Sequence, residues 1–143
     1  MSQVNILLVD DSLTEKKMFE LYVHRIAHRD IKLHHAASME QATRIISEDS
    51  HQIDLIFLDS HIPPWADYRQ TIPMIRQAGF EGPVIILSGY TTRPIFEEYR
   101  QYGAQLCTDK LYMAKRLEGL IDRALQMDVA PQRPLPGQSA SFG

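Results

Sequence analysis

The chain has almost no cysteine. Cys107 is the single thiol among 143 residues, so no intramolecular disulfide can form, and a reducing compartment suits it. Long apolar runs are also missing. None approaches the ~18 residues that a spanning helix needs, and the opening Met-Ser-Gln-Val-Asn lacks the basic segment of a signal peptide. The expectation is a cytoplasmic protein without a membrane partner. Excess charge of one sign is absent too. Fifteen basic residues face 18 acidic ones, a net charge of −3, which gives no electrostatic pointer to nucleic acid or an anionic surface. No glycine-rich phosphate loop follows the first apolar run, which counts against that kind of nucleotide site. No internal repeat is visible.

What the chain does have is acid at the ends of apolar runs. Ile6-Leu7-Leu8-Val9 leads into Asp10 and Asp11, and Ile53-Asp54-Leu55-Ile56-Phe57-Leu58 leads into Asp59. The tip of a core strand is a costly place for charge. Two unit charges ~4 Å apart in a partly shielded site repel by roughly 4 kcal/mol. Three carboxylates there require a cation or raised pKa values. The pattern therefore points to an acidic pocket suited to a divalent metal.

The length fits one domain with a sizeable core. Short apolar runs at 4–9, 31–36, 53–58, 83–88 and 104–108 alternate with segments of helical period. Several are continuously apolar, as parallel strands covered on both faces are. The run 31–36 alternates Lys32, His34 and His35 with apolar neighbours and suits an edge strand. Ser12 with Glu15 and Ser38 with Gln41 form capping-box patterns ahead of helices. A third helix ends at Gly79, with Pro73 implying a late start or a kink. A fourth begins near Thr92 and ends near Gly103, and a fifth carries Met113, Leu117, Leu120, Ile121 and Ala124. The turn-rich stretch after residue 127 reads as a disordered tail, giving a domain over 1–127 and a tail over 128–143.

Strand–helix alternation of this kind yields a doubly wound, five-stranded parallel α/β sheet with right-handed crossovers. Ligands in such sheets bind beyond the carboxyl ends of the strands. Asp10, Asp11, Asp59, Ser88 and Lys110 all fall at or just past such ends and so converge on one rim. Each has a plainer reading alone. The acid pair suits a helix N-terminus, Asp59 and Ser88 suit turns, and Lys110 suits a solvated surface. His61 beside Asp59 allows a transition-metal site, but no second His or Cys stands at ligand spacing. Trp65 and Tyr68 could cover the rim, dock a partner, or simply pack over the third helix.

Taken in order, these pieces resemble the receiver domain of two-component response regulators, the CheY-like family. The matching segments are Ile6-Leu-Leu-Val-Asp-Asp-Ser12, Leu55-Ile-Phe-Leu-Asp59, Pro63, Val84-Ile-Ile-Leu-Ser88-Gly89 and Lys110, and the resemblance spans roughly residues 3 to 127. It implies a flavodoxin-like fold with strand order 2-1-3-4-5. It also implies that Asp59 is the phosphoacceptor, helped by Ser88 and Lys110. Mg²⁺ would be held by Asp10, Asp11, Asp59 and the backbone carbonyl of His61. His61 and Tyr90 would flank the acyl phosphate and lengthen its life by hindering water. The donor would be a sensor histidine kinase or a histidine phosphotransfer protein. The protein would assist its own phosphorylation and dephosphorylation rather than act as an enzyme on other substrates.

The chain departs from the family pattern in three places. Cys107 stands where the family usually has its aromatic switch residue. Leu111 follows Lys110 where a proline is common, so a trans peptide is expected there. Pro63-Pro64-Trp65-Ala66 replaces a glycine-containing stretch, which predicts a stiffer, bulkier loop. The expected product is a stand-alone receiver that signals by phosphorylation-dependent protein contact or onward transfer to a partner the sequence does not name. The segment Ile95-Phe96 with Tyr99 offers either a homodimer contact or ordinary packing. The competing readings are a receiver-fold adaptor that works without phosphorylation and, behind it, an aspartate-nucleophile phosphatase.

Overall fold

The computed structural model describes residues 3–49, 52–89, 98–127 and 129. Five strands, β1 (Val4–Val9), β2 (Ile31–Ala36), β3 (Leu55–Asp59), β4 (Val84–Ser88) and β5 (Leu106–Asp109), pair in parallel in the order β2-β1-β3-β4-β5. The helices are α1 (Leu13–His24), α2 (Met39–Asp49), α3 (Tyr68–Gln77) and α4 (Met113–Gln126), with 3₁₀ turns at Tyr99–Tyr102 and Lys110–Tyr112. This is the doubly wound arrangement that the sequence predicts, with β2 at an edge.

The apolar runs lie in the middle of the sheet because both faces are covered. Leu7, Val9, Ile56, Leu58, Val84 and Ile86 face α2 and α3, where Ala42, Ile46, Tyr68, Ile72 and Ile75 meet them. Ile6, Leu8, Leu55, Phe57, Ile85 and Leu87 face Phe19 of α1 and Met113, Leu117, Ile121 and Ala124 of α4. The phenyl rings of Phe19 and Phe57 meet edge to face at 5.0 Å. Alternate residues of one strand thus feed two cores, as a period of two requires.

Helix starts follow their caps. Ser12 Oγ accepts the Glu15 N–H at 3.2 Å, and Ser38 Oγ accepts the Gln41 N–H at 3.1 Å. The return half of the first box is not made by Glu15. Asp10 Oδ1 takes the Ser12 N–H instead, at 2.9 Å. Helix α3 starts at Tyr68, capped by Asp67, and carries Pro73 within it. It ends where Gly79 adopts φ 112°, a left-handed conformation that glycine takes at little cost.

Three strands start later than the sequence pattern suggests. Ile53 and Asp54 stay outside β3. The Asp54 carboxylate accepts the Asn5 N–H at 2.8 Å, a side-chain bond that takes the place of a ladder bond. Most of the expected helix from Thr92 to Gly103 lies outside the described residues. Its end is a 3₁₀ turn closed by Gly103 at φ 98°. Tyr90, Ile95 and Phe96 and the expected tail over 128–143, Val129 apart, also lie outside them. Among the described residues, no helix is long and apolar enough to cross a membrane.

Candidate functional site

The strand order places the carboxyl ends of β1, β3, β4 and β5 side by side. Sheet polarity and register then position each polar group. Asp10 follows β1, and its N–H still donates to Ala36 O at 3.0 Å. Asp59 ends β3 and pairs with Leu87 in register. Ser88 ends β4, buried, and pairs with Asp109 of β5. Lys110 follows directly and opens a 3₁₀ turn, where Asp109 caps the Leu111 N–H at 2.9 Å.

These placements bring three carboxylates together. One oxygen from each of Asp10, Asp11 and Asp59 lies within 4.8 Å of the others. Lys110 Nζ donates to Asp10 Oδ2 at 3.2 Å and to Asp59 Oδ2 at 3.1 Å. Asp10 is nearly inaccessible, at 1% exposure, and Asp11 is exposed. The pocket therefore has a closed floor and an open mouth. A cavity of about 10 Å³ lies beneath it, lined by Asp10, Glu15, Tyr22, Lys110 and Met113 among others. That is room for about one water molecule.

The electrostatics follow from burial against charge. Burial raises the Asp59 pKa to about 6, with Asp10 adding to the rise, while Lys110 and the His61 N–H act against it. Burial alone would pull Lys110 down. The carboxylates of Asp59 and Asp10 more than offset that, and its pKa rises. Three carboxylates and one ammonium leave two negative charges, which one divalent cation balances. The donor set is all oxygen, as Mg²⁺ prefers. Its octahedron places ligand oxygens roughly 3.0–4.2 Å apart, so the cluster needs to contract only slightly to fit. The residues present thus suit Mg²⁺.

His61 lies at the mouth. Its N–H donates to Asp59 Oδ1 at 3.2 Å, and its Nδ1 pairs with Ala66 O at 2.9 Å. The ring is thereby turned toward its own loop. That loop is held at several points. Trp65 N–H donates to Ile62 O at 2.9 Å, and Ala66 N–H donates to Gln70 Oε1 at 2.6 Å. Ile62 is fully buried, and the Pro63–Pro64 peptide is cis. Lys110–Leu111 is trans, as expected; Pro63–Pro64 is the cis peptide among the described residues.

Two aromatics that the sequence leaves open are resolved as packing. Tyr68 is fully buried at the start of α3, and its ring meets Tyr102 edge to face at 5.9 Å. Trp65 is half-buried against the same core. Cys107 packs there too, half-buried beside Ile86 in register. Burial pushes its thiol up to about 11, helped by Asp109, so the thiol is unreactive at neutral pH.

Sequence reasoning reads His34 and His35 only as marks of an edge strand and misses a contact at the site. His35 Nε2 meets the backbone carbonyl of Asp10 at 2.7 Å. The two adjacent histidines at the end of an edge strand were the signal available.

A five-stranded parallel sheet in this order, with an acidic trio and a lysine at its carboxyl rim, defines a doubly wound α/β domain whose rim could hold a cation. Its relatives narrow that class. The model of the response regulator receiver domain family matches residues 6–122, and the chain belongs to that family. Solved structures agree on the fold. The chain is 26% identical to the signal receiver domain of a putative LuxO repressor protein from Vibrio parahaemolyticus, with TM-score 0.72, covering 87% of this chain and 92% of that one. It is 19% identical to the response regulator domain of Thermotoga maritima CheB, with TM-score 0.74, covering 89% and 99%. The receiver domain of the sensor histidine kinase PA1611 from Pseudomonas aeruginosa is 20% identical, with TM-score 0.74 and 88% and 100% covered. That structure has a magnesium ion coordinated in its active-site cleft. No curated protein matches the chain.

Proposed function

We propose that the protein accepts a phosphoryl group on Asp59 from a phosphohistidine donor and signals through the altered rim. The observation that carries this reading is the Asp59 carboxylate, set 3.1 Å from Lys110 Nζ inside the acidic trio. With a pKa of about 6 it is largely ionised at neutral pH and can act as a nucleophile.

In the proposed reaction an Asp59 oxygen attacks phosphorus. The O–P bond forms while the donor's N–P bond breaks, and the electron pair leaves with the imidazole. Charge spreads over the equatorial phosphoryl oxygens, so positioning and electrostatics govern the rate. Lys110 neutralises one of these oxygens, and the Ser88 hydroxyl donates to another. Asp10 and Asp11 would hold a cation together with Asp59 and the His61 carbonyl. Mg²⁺, when bound, neutralises charge on the carboxylates and the phosphoryl group. The bulk of His61 beside Asp59, together with Tyr90, would hinder water and slow hydrolysis of the acyl phosphate. The added charge of about −1.5 to −2 alters the rim that a partner protein reads.

Incubation with acetyl phosphate, with and without Mg²⁺, followed by intact mass measurement, tests this. The expected result is a Mg²⁺-dependent gain of one phosphoryl group that Asp59→Asn abolishes. A gain that persists in Asp59→Asn overturns the assignment of the acceptor. No gain from acetyl phosphate or from any phosphohistidine donor favours a phosphorylation-independent adaptor.

A further inference from the structure

The β1–β2 ladder ends at Val9 and Ala36. One further bond joins the strands, Asp10 N–H to Ala36 O at 3.0 Å. Strand β2 then gives way to the start of α2. The Ala37 N–H is spent on Gln41 Oε1 at 2.8 Å, and Ser38 caps the helix. The Asp10 carbonyl is met instead by an imidazole, His35 Nε2, at 2.7 Å.

A carbonyl only accepts, so Nε2 must carry the hydrogen. The bond also fixes more than Asp10. That carbonyl belongs to the peptide joining Asp10 to Asp11, so its direction sets the plane from which Asp11 departs. The Asp10 carboxylate is independently held by the Ser12 N–H and Lys110. The Asp11 carboxylate, exposed at the mouth, makes no hydrogen bond among the described residues. Its position in the trio therefore depends on the backbone beneath it.

We infer that His35 is a positioning residue. It locks the Asp10–Asp11 peptide so that the Asp11 carboxylate is presented to the divalent cation. The inference rests on the proposed function, since it assigns His35 a role toward the cation invoked there. Outer partners of metal ligands act in this way, by orienting the groups that touch the metal.

Mg²⁺ affinity, measured by calorimetric titration of the full chain, is the direct readout. The melting temperature in EDTA reports the fold separately. His35→Leu fills similar space without a donor and is expected to lose about tenfold in Mg²⁺ affinity, the lower end for such partners. His35→Gln places an amide N–H near the position of Nε2 and should recover most of that loss. His35→Asn keeps the polarity but falls short of the carbonyl, and should behave like His35→Leu. In phosphorylation by acetyl phosphate, His35→Leu should need more Mg²⁺ for half-maximal rate but reach the wild-type rate at saturation. Wild-type affinity in His35→Leu overturns the inference. A loss that His35→Gln fails to recover also overturns it, because packing rather than the donated bond would then be responsible. A wild type that binds no Mg²⁺ overturns the proposed function itself, which separates the two failures.

Discussion

Asp59 holds a charge that the metal-free fold resists. Its pKa lies at about 6 in the folded chain against 3.8 for the free group, so the folded state binds the proton more tightly. Its contribution to stability is full below the unfolded value and is lost as pH rises through the folded one. The gap corresponds to about 3 kcal/mol at most. Lys110 stays charged throughout that window because its own pKa is raised, so it adds no pH dependence there. Asp59→Asn should therefore raise the melting temperature in EDTA at pH 8, by about 2–4 °C per kcal/mol recovered. The gain should shrink toward pH 4, where wild-type Asp59 is protonated. Thermal melts across that range check this, and an equal gain at both ends would contradict the buried-charge account. At this scale the sequence shows which residues carry charge at strand tips. It does not show that Lys110 spans Asp10 and Asp59, because the contact joins residues far apart in the chain.

Elements were legible where their signals are local. The caps Ser12 and Ser38, the stop at Gly79 and the edge character of β2 all depend on nearby residues and appear as expected. Less legible was what ties α3 to the sheet. Arg76, in the last turn of α3, donates to Phe80 O at 3.0 Å, Gly82 O at 2.6 Å and Gly103 O at 2.7 Å. It also reaches Gln105 Oε1 at 3.3 Å, which accepts the Val84 N–H at 2.8 Å. One guanidinium thus gathers the end of α3, the turn before β4 and the approach to β5. No periodicity in the sequence predicts this, because a basic residue in a last helical turn has a sufficient local explanation in the helix dipole. Lysine cannot copy it. Its ammonium has three donors at one point instead of a planar fork. Arg76→Lys should leave carbonyls unpaired and cost about 2–3 kcal/mol, visible as a lower urea midpoint with an unchanged slope. A midpoint equal to wild type would mean that solvent already satisfies these groups.

The described residues form one sheet carrying two cores, with the acidic trio and Lys110 gathered at the carboxyl rim. That placement is why the site was readable. A doubly wound topology sends every strand end to the same side, so five polar residues scattered over 100 positions from Asp10 to Lys110 could be assigned to one place. It also couples the rim to global stability. Lys110 pairs with Asp10 Oδ2 and Asp59 Oδ2, so it would compete with a cation held by the same carboxylates. Replacing it with methionine removes the ammonium that offsets carboxylate repulsion, a term of up to roughly 4 kcal/mol per close pair. Without metal, Lys110→Met should melt below wild type. With Mg²⁺ the order of effects reverses. The variant pocket carries a further negative charge and frees two oxygens, so it should bind the cation more tightly and gain more melting temperature on saturation, since ligand stabilisation grows as RT ln(1 + [L]/Kd). Phosphorylation by acetyl phosphate should nonetheless fall in the variant if Lys110 meets the phosphoryl oxygens as proposed. Paired melts in EDTA and in excess Mg²⁺ decide the point. If the Mg²⁺-induced rise is no larger in Lys110→Met than in wild type, the lysine and the cation do not share these oxygens, and the cation site lies elsewhere on the rim.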